Sequence, residues 1–300
     1  MAPSPSPNVA PLPTTRSGSS SELRLRAARS GELVDGRYRL GRPIGRGGMG
    51  SIYEAEDEAT GRTVAVKLLR HAEDRARFLR EAAMTAAVRH PHVVRTLDYG
   101  GLEGAARGAY LVLERLRGET LRERLDGLGT FALPTCLTLL EQLLEALAAV
   151  HAAGIVHRDV KPANLFVTEG PPCALKLLDF GLGKALDETE ALTAEGVIVG
   201  TPGYLAPEQV RADPIDPRTD LHGFAVTAYE LLTGLRPFRR EGASQTYAAV
   251  LFHEPTPPSA LRPAIPPAVD ALLVRCLAKT PTERPESVAE VLAAWPPSRD

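Results

Sequence analysis

The pattern of hydrophobic and polar positions changes near residue 36. Residues 1–35 are polar and rich in proline, with too few apolar side chains to pack, so we expect a disordered tail. Tyr38-Arg39-Leu40 begins the alternation that is typical of a strand. Ser51 to Glu56 predicts a second strand, with a turn at 59–61 after it. Further strands are predicted at 64–67, 93–99 and 109–114, with a helix over 74–89.

Longer apolar periods follow in the second half of the chain. Leu137, Leu140, Leu144 and Leu147 recur at three- and four-residue spacing, which predicts a helix over 135–151 with one buried face. We expect a short hairpin over 164–178, a long apolar helix from 220 and a closing helix over 286–295. Since single cores stop growing at roughly 250–300 residues, a chain of this length favours two lobes over one large core.

Composition and charge narrow the classes of function. Lys plus Arg is 35 and Asp plus Glu is 37, so the formal charge is -2 and no broad field exists to recruit nucleic acid. No run approaches the roughly 20 apolar residues that span a bilayer, so we expect no membrane anchor. The three cysteines have no C-x-x-C spacing, which argues against a disulfide framework or zinc site and favours the cytoplasm.

The segment H-R-D-V-K-P-A-N at 157–164 places a carboxylate, an amine and an amide in one short loop. Phosphoryl transfer to a hydroxyl needs an acceptor for the hydroxyl proton, a cation against the developing charge and oxygen ligands for a divalent metal. Asp159, Lys161 and Asn164 can supply these three roles in that order. The loop therefore indicates phosphoryl-transfer chemistry.

A glycine-rich turn at 44–53 contains G-x-G-x-x-G. Alone this pattern is weak, because dinucleotide-binding loops share it. A dinucleotide fold would open a helix here, whereas the residues after Gly50 alternate as a strand does. A glycine-rich hairpin lets backbone N–H groups approach phosphates because no side chain intervenes.

H-R-D-x-K-x-x-N, followed by D-F-G at 179–181 and A-P-E at 206–208, resembles the catalytic signature of protein kinases, and the lysine is typical of the serine/threonine branch. The chain resembles a bacterial serine/threonine protein kinase of the eukaryotic (Hanks) type over 36–295. The resemblance implies an α+β, bilobal protein-kinase-like fold: a small antiparallel-sheet N-lobe with one helix (36–115) and a larger, mainly helical C-lobe (116–298). It also implies transfer of the γ-phosphoryl of Mg-ATP to Ser or Thr of protein substrates.

The same resemblance assigns roles in the nucleotide site. Lys67, at the end of V-A-V-K, matches the lysine that holds the α- and β-phosphates, and Glu81 matches its partner. Asn164 and Asp179 are the expected Mg²⁺ ligands, with Mn²⁺ as an alternative. Arg115 stands where an aromatic residue is often found. Nucleotide contacts are expected from Ile44, Gly45, Gly47, Gly50, Ile52, Ala65, Lys67, Glu114, Leu116 and Phe166.

By resemblance, activity depends on autophosphorylation of the activation segment at Thr189, Thr193 or both, through a transient homodimer. Arg158, Lys184 and Arg77 are expected to contact the phosphate. Thr201 is expected to hydrogen-bond Asp159 and Lys161 instead, which supports specificity for hydroxyl amino acids over tyrosine.

Four C-lobe residues also have expected structural roles. By resemblance, Arg284 pairs with Glu208, and Asp220 bonds the catalytic-loop backbone. Ala225 replaces a usual glycine, and we expect Gly223 to absorb its added methyl. We expect His157 to be a packing residue and His222 an ordinary core or surface histidine.

Two alternatives share the fold. A pseudokinase scaffold usually lacks the strand lysine, the catalytic aspartate or the metal aspartate, and all three are present here as Lys67, Asp159 and Asp179. A small-molecule phosphotransferase typically lacks the Thr201 loop, A-P-E and Arg284. A protein substrate tested beside an aminoglycoside or choline panel would separate these functions.

Overall fold

The computed structural model describes residues 30–47, 50–69, 75–102, 108–129, 131–170, 173–178 and 201–296. The tail residues 1–29 lie outside these ranges, as do the predicted site residues Asp179, Lys184, Thr189 and Thr193. Within the described ranges an antiparallel sheet is followed by a mainly helical part, as the α+β prediction requires.

The N-lobe sheet has its strands at β1 (Leu33–Val34), β2 (Tyr38–Gly47), β3 (Gly50–Asp57), β4 (Arg62–Leu69), β5 (Thr96–Gly101) and β6 (Ala109–Glu114). Their order is β1-β2-β3-β4-β6-β5, and each pairing is antiparallel. The β4 run from Val64 to Lys67 is buried throughout, which suits a central strand covered on both faces.

Two predicted boundaries of this sheet are wrong. β1 lies inside the segment 1–35 that we assigned to the tail, because Val34 is buried and pairs with Tyr38. The strand predicted from Val93 begins at Thr96. Val93 instead forms an isolated parallel bridge with Leu177 of the C-lobe. Apolar alternation continues across this point, although the backbone leaves the sheet.

The helix α1 (Arg75–Ala87) packs against β5 and β6. Phe78, Ala82 and Thr85 are buried and recur at the three- and four-residue spacing of one helical face. The predicted helix over 74–89 is therefore confirmed for most of its length. Glu81 lies on this helix and is partly buried.

The C-lobe contains a small antiparallel sheet and eight described helices. The sheet has β7 (Gly118–Thr120), β8 (Leu165–Thr168) and β9 (Leu175–Leu177). The helices are α2 (Leu121–Leu128), α3 (Leu133–Ala152), α4 (Pro207–Arg211), α5 (Arg218–Thr233), α6 (Ala243–Phe252), α7 (Pro258–Leu261), α8 (Pro267–Cys276) and α9 (Val288–Ala294). Pro162–Asn164 forms a 3-10 turn before β8.

α3 is the one helix in the described ranges that is long and apolar enough, by length and composition, to cross a membrane. This corrects our expectation that no run approaches that length. The helix packs against α5, α9 and β9, which accounts for its apolar sequence. Leu140, Leu144 and Leu147 are buried as predicted, whereas Leu137 is only partly buried because it lies at the edge of the face.

α5 is the central helix of the C-lobe. Every residue from Thr219 to Leu232 is buried, and the helix packs against α3 and α8. It ends at Gly234, whose φ of 76° is the left-handed conformation that glycine adopts without steric cost. A Cβ at Gly223 would lie 3.0 Å from Val160 Cβ, so α5 approaches the loop before β8 closely at this glycine. The accommodation of the Ala225 methyl by Gly223 stays a prediction.

Candidate active site

The 3-10 turn and the loop before it bring the predicted catalytic side chains together. Lys161 Nζ lies 2.9 Å from Asp159 Oδ2. Asn164 Nδ2 donates to the Asp159 carbonyl at 2.8 Å and to its carboxylate at 3.0 Å. Because both partners are acceptors, the amide nitrogen of Asn164 is committed to Asp159, and its oxygen is the atom left for a cation. The arrangement fits an oxygen-ligated metal beside a carboxylate and an ammonium.

Asp220 of α5 holds this loop from behind. Its carboxylate accepts from the backbone N–H groups of His157 and Arg158, each at 2.7 Å, and lies 2.7 Å from His151 Nε2. Arg158 has a φ of 67°, a left-handed conformation that costs free energy in a non-glycine residue. The buried carboxylate provides the hydrogen bonds that stabilise this backbone. The role predicted for Asp220 is confirmed by these contacts.

His157 has the packing role that the sequence predicted. Its side chain is buried, and Nδ1 accepts the backbone N–H of Asp159 at 3.2 Å. Nε2 is therefore the protonated nitrogen, and it donates to the Leu178 carbonyl at 2.8 Å. The ring thus ties the catalytic loop to the residue immediately before Asp179.

Lys67 lies on β4 with only 8% of its surface exposed. Its Cα pairs with Ile52 on one side and Leu111 on the other, so the lysine is fixed within the sheet. Ala65, also buried, pairs with Leu113. The pairing of Lys67 with Glu81 and the contacts of Lys67 and Ala65 with a nucleotide stay predictions.

The glycine-rich turn joins β2 to β3. Gly45 pairs with Ile52 and Gly47 with Gly50, while residues 48–49 lie outside the described ranges. A Cβ at Gly50 would lie 1.9 Å from the Leu68 carbonyl oxygen. The close approach of β4 therefore requires glycine at this position, independently of any nucleotide. Ile44 is exposed and Ile52 half-buried. The nucleotide contacts of this turn remain predictions.

Residues 115–117 connect β6 to β7 and form the crossing between the lobes. The Glu114 N–H donates to the Arg95 carbonyl at 3.0 Å, so it is already used within the protein. The Leu116 carbonyl accepts from Arg115 Nη1. Hydrogen bonds of the Glu114 carbonyl and the Leu116 N–H with an adenine edge stay predictions. Phe166, on β8, lies against Gly118, where a Cβ would come 3.0 Å from the ring.

The Glu208 side chain forms a buried ion pair with Arg284, as predicted. The two nitrogens of the Arg284 fork lie 2.7 and 2.8 Å from the two carboxylate oxygens, and Thr219 donates to the same carboxylate at 2.8 Å. Burial raises the pKa of Glu208, but the hydrogen bonds and charge of Arg284 outweigh it and hold the pKa below its ordinary value. This pair fixes the end of the A-P-E segment against the helical core.

The protein kinase domain profile matches residues 38–295. The chain belongs to the protein kinase family. It is 41% identical over 285 residues to serine/threonine-protein kinase PknA of Mycobacterium tuberculosis, which covers 90% of this chain and 65% of that protein. It is 38% identical over 272 residues to the probable kinase PknB of Corynebacterium glutamicum, covering 87% and 42% respectively.

These relatives confirm the predicted resemblance to bacterial serine/threonine kinases of the Hanks type. A kinase of Myxococcus xanthus is 37% identical over 269 residues, which are 86% of this chain and 49% of the relative. The chain therefore spans between about two fifths and two thirds of the length of these three relatives. The bilobal fold expected for the family agrees with the sheet and helical lobe described above.

The regulatory residues predicted from this family are only partly within the described ranges. Arg158 lies in the catalytic loop, where its carbonyl accepts from Gln209 Nε2 at 2.8 Å. Arg77 lies on α1. Thr201 is exposed and lies five residues before the A-P-E motif at 206–208. The contacts predicted for these three residues, as for Lys184, Thr189 and Thr193, stay predictions.

Sequence reasoning missed two ion pairs at the crossing between lobes. Lys176 Nζ on β9 lies 2.7 Å from Glu114 Oε1, and Arg115 Nε lies 2.9 Å from Glu54 Oε2 on β3. The two residues of each pair are 62 and 61 positions apart, so no local spacing could have shown them. The one signal was Arg115 itself, a charged residue where the family often has an aromatic one.

Proposed function

We propose that this protein is an ATP-dependent serine/threonine protein kinase. Phosphoryl transfer from ATP to a Ser or Thr hydroxyl would take place at the loop that carries Asp159, Lys161 and Asn164. The observation that carries the proposal is the contact set within that loop: an ammonium 2.9 Å from a carboxylate that also accepts from an amide. Protein substrates and the cytoplasm are the partners and location that this function implies.

Each side chain of the loop has a distinct task. Asp159 would orient the attacking hydroxyl and accept its proton, since its carboxylate is the one proton acceptor among the three. Lys161 lies close enough to hold that carboxylate in place and to stabilise negative charge on the transferred group. Lys67, buried on β4, would bind the α- and β-phosphates from the opposite side, with Glu81 fixing its position.

Asn164 and Asp179 are the residues that would hold Mg²⁺. The amide nitrogen of Asn164 is committed to Asp159, so its oxygen remains for the metal, and oxygen is the ligand Mg²⁺ prefers. When bound, the metal would neutralise phosphate charge. Mn²⁺ has the same preference for oxygen and is the alternative.

The test measures transfer of labelled phosphate from ATP to matched peptides that differ only in carrying Ser, Thr or Tyr. Wild type should label the Ser and Thr peptides, and Asp159→Asn should lower kcat by roughly 10²- to 10⁴-fold while nucleotide affinity is kept. Asp179→Asn should abolish turnover. Nucleotide binding without transfer in wild type would favour the pseudokinase alternative, and labelling of aminoglycosides or choline alone would favour a small-molecule phosphotransferase.

We further propose activation by autophosphorylation in trans, through a transient homodimer. Arg158, Arg77 and Lys184 are the cations that a phosphate at Thr189 or Thr193 would bridge. Protein made with ATP should carry phosphate at one of these threonines by mass spectrometry, and the double alanine variant should be markedly less active. A fully active double variant would contradict the proposal, whereas Thr201 should be unmodified in the active form.

A further inference from the structure

The crossing between the lobes carries an arginine whose side chain contacts β3, the strand that follows the glycine-rich turn. Arg115 is the first residue after β6, and its Nε lies 2.9 Å from Glu54 Oε2 on β3. Its Nη1 donates to the carbonyl of Leu116, the next residue of the crossing. One guanidinium thus connects the connecting segment to a strand that begins at the glycine-rich turn.

Glu54 is held as an ionised partner. The hydrogen bond from Arg115 lowers the pKa of this carboxyl below its ordinary value, and the bond from Arg42 lowers it further. Arg42 Nε lies 3.2 Å from the other oxygen, but Arg42 has 72% of its side chain exposed, whereas Arg115 has 24%. Since exposed pairs are screened and contribute little, Arg115 is the stronger partner.

The position of Glu54 relates this pair to the nucleotide pocket. Side chains two residues apart on a strand share a face, so Glu54 lies on the same face of β3 as Ile52. Ile52 and Leu116 both pack against the main hydrophobic core, and Glu54 pairs across the ladder with Ala65. Ile52, Leu116 and Ala65 are all expected nucleotide contacts, so the ion pair of Arg115 with Glu54 lies at the edge of that pocket.

We propose that Arg115 is a positioning residue for the nucleotide. It fixes the Leu116 peptide, whose backbone would meet the adenine edge, and binds it to β3, which carries the phosphate-covering turn. Removing the guanidinium would leave only the β3-β4-β6 ladder to relate β3 to the crossing, so the chain would lose some nucleotide affinity without losing catalytic groups. The inference rests on the proposed function in taking the pocket to be an ATP site.

A second ion pair, between Glu114 and Lys176, lies on the C-lobe side of the crossing. Glu114, the residue before Arg115, contacts Lys176 on β9 at 2.7 Å and accepts the Arg95 N–H at 3.0 Å. Glu114, the last residue of β6, therefore contacts the C-lobe, whereas Arg115, the next residue, contacts the N-lobe. With Glu114 in contact with β9, the contact of Arg115 with β3 adds to the β3-β4-β6 ladder in fixing the distance between β3 and the crossing.

The experiment compares Arg115→Ala, Arg115→Lys, Glu54→Gln and the double variant Glu54→Gln/Arg115→Ala with wild type. The probe is Mg-ADP binding by calorimetry, together with kcat and the KM for ATP on a peptide substrate. Arg115→Ala and Glu54→Gln should each raise the Kd and KM about two- to fivefold, the range of a partly exposed ion pair, with little change in kcat. Arg115→Lys should fall between, because it keeps the charge and loses the planar fork.

Two features separate positioning from general stability. The double variant should show no more loss than the larger single variant, because both remove the same contact. Arg39→Ala is the matched control, since it removes an exposed pair with Glu58 on the same sheet, at 2.6 Å, away from the crossing. It should bind Mg-ADP as wild type does.

Wild-type affinity in Arg115→Ala, multiplicative losses in the double variant, or an equal loss in Arg39→Ala would overturn the inference. The proposed function fails separately. If wild type binds Mg-ADP with the expected coupling but transfers no phosphate to Ser or Thr peptides, the kinase assignment is wrong and the role of Arg115 stands.

Discussion

Replacing His222 with phenylalanine should make the stability of this protein less sensitive to acid. His222 is fully buried on α5 and stacks on Phe238, with the ring centroids 5.8 Å apart. Neither ring nitrogen has a hydrogen-bond partner within the described part of the chain. Burial, followed by the nearby charges of Arg284 and Lys279, holds the pKa of the imidazole well below its ordinary value.

The sign follows from proton binding in the folded and unfolded states. Below about pH 6.5 the unfolded chain binds a proton at this histidine and the folded chain does not, so the free energy of unfolding falls as the pH decreases. The stabilising contribution is therefore complete above the unfolded pKa and is lost below it. Between pH 7.5 and 5.5 this one group should remove about 1.4 kcal/mol.

The absolute stability of the variant at neutral pH is not the decisive quantity. Phenylalanine removes two buried polar atoms without partners, each costing about 1–3 kcal/mol, but its larger ring must fit beside Phe238, at a cost of about 1–3 kcal/mol. These two terms have opposite signs, and neither changes with pH. The difference in unfolding free energy between the two pH values isolates the proton.

Urea denaturation at pH 7.5 and 5.5 measures that difference. Wild type should lose about 1.4 kcal/mol more than His222→Phe over this interval. His253→Gln is the control, because it also removes one histidine but at an exposed position, and this variant should keep the wild-type loss. Equal losses in wild type and His222→Phe would refute the reasoning.

Two further substitutions test the scaffold behind the site. Arg284→Ala should lower the free energy of unfolding by about 3–5 kcal/mol, because it leaves the buried Glu208 without its ionic partner. Arg275→Ala removes an exposed ion pair and should cost under about 1 kcal/mol. Similar losses for the two variants in denaturation experiments would contradict the pairing argument. Gly223→Ala should lower the free energy of unfolding by about 1–3 kcal/mol, and it should lower kcat because the new methyl pushes against Val160. Gly127→Ala has open space around the new methyl and should raise the free energy of unfolding by about 0.5–1 kcal/mol. An unchanged kcat in Gly223→Ala would show that the loop adjusts freely.

The proximity of the three side chains in the catalytic loop was predictable because they are close in the sequence. Asp159, Lys161 and Asn164 lie within six residues, and a 3-10 turn brings them into contact. The pairing of Glu208 with Arg284 spans 76 positions, and it was predictable only because the family motif relates the two residues.

The wrong start of β5 has its cause in packing between segments that are distant in the sequence. Val93 has the apolar character of its neighbours in β5, yet it pairs with Leu177 of the other lobe. A Cβ at Gly223 would likewise meet Val160, 63 positions earlier in the chain. A hydrophobic pattern shows neither contact.

The hydrogen bonds of the catalytic loop explain why α5 should influence turnover without touching a substrate. Asp220 accepts two backbone N–H groups of the loop, Gln209 donates to the Arg158 carbonyl, and Thr227 Oγ1 lies 3.4 Å from the Val160 carbonyl. The backbone is thus satisfied from the side of the helical core. Apart from the Asn164 amide, which donates to the Asp159 carbonyl, the groups named here that bond the loop backbone are not among its proposed catalytic side chains. Substitutions in α5 should therefore act on kcat through the position of the loop.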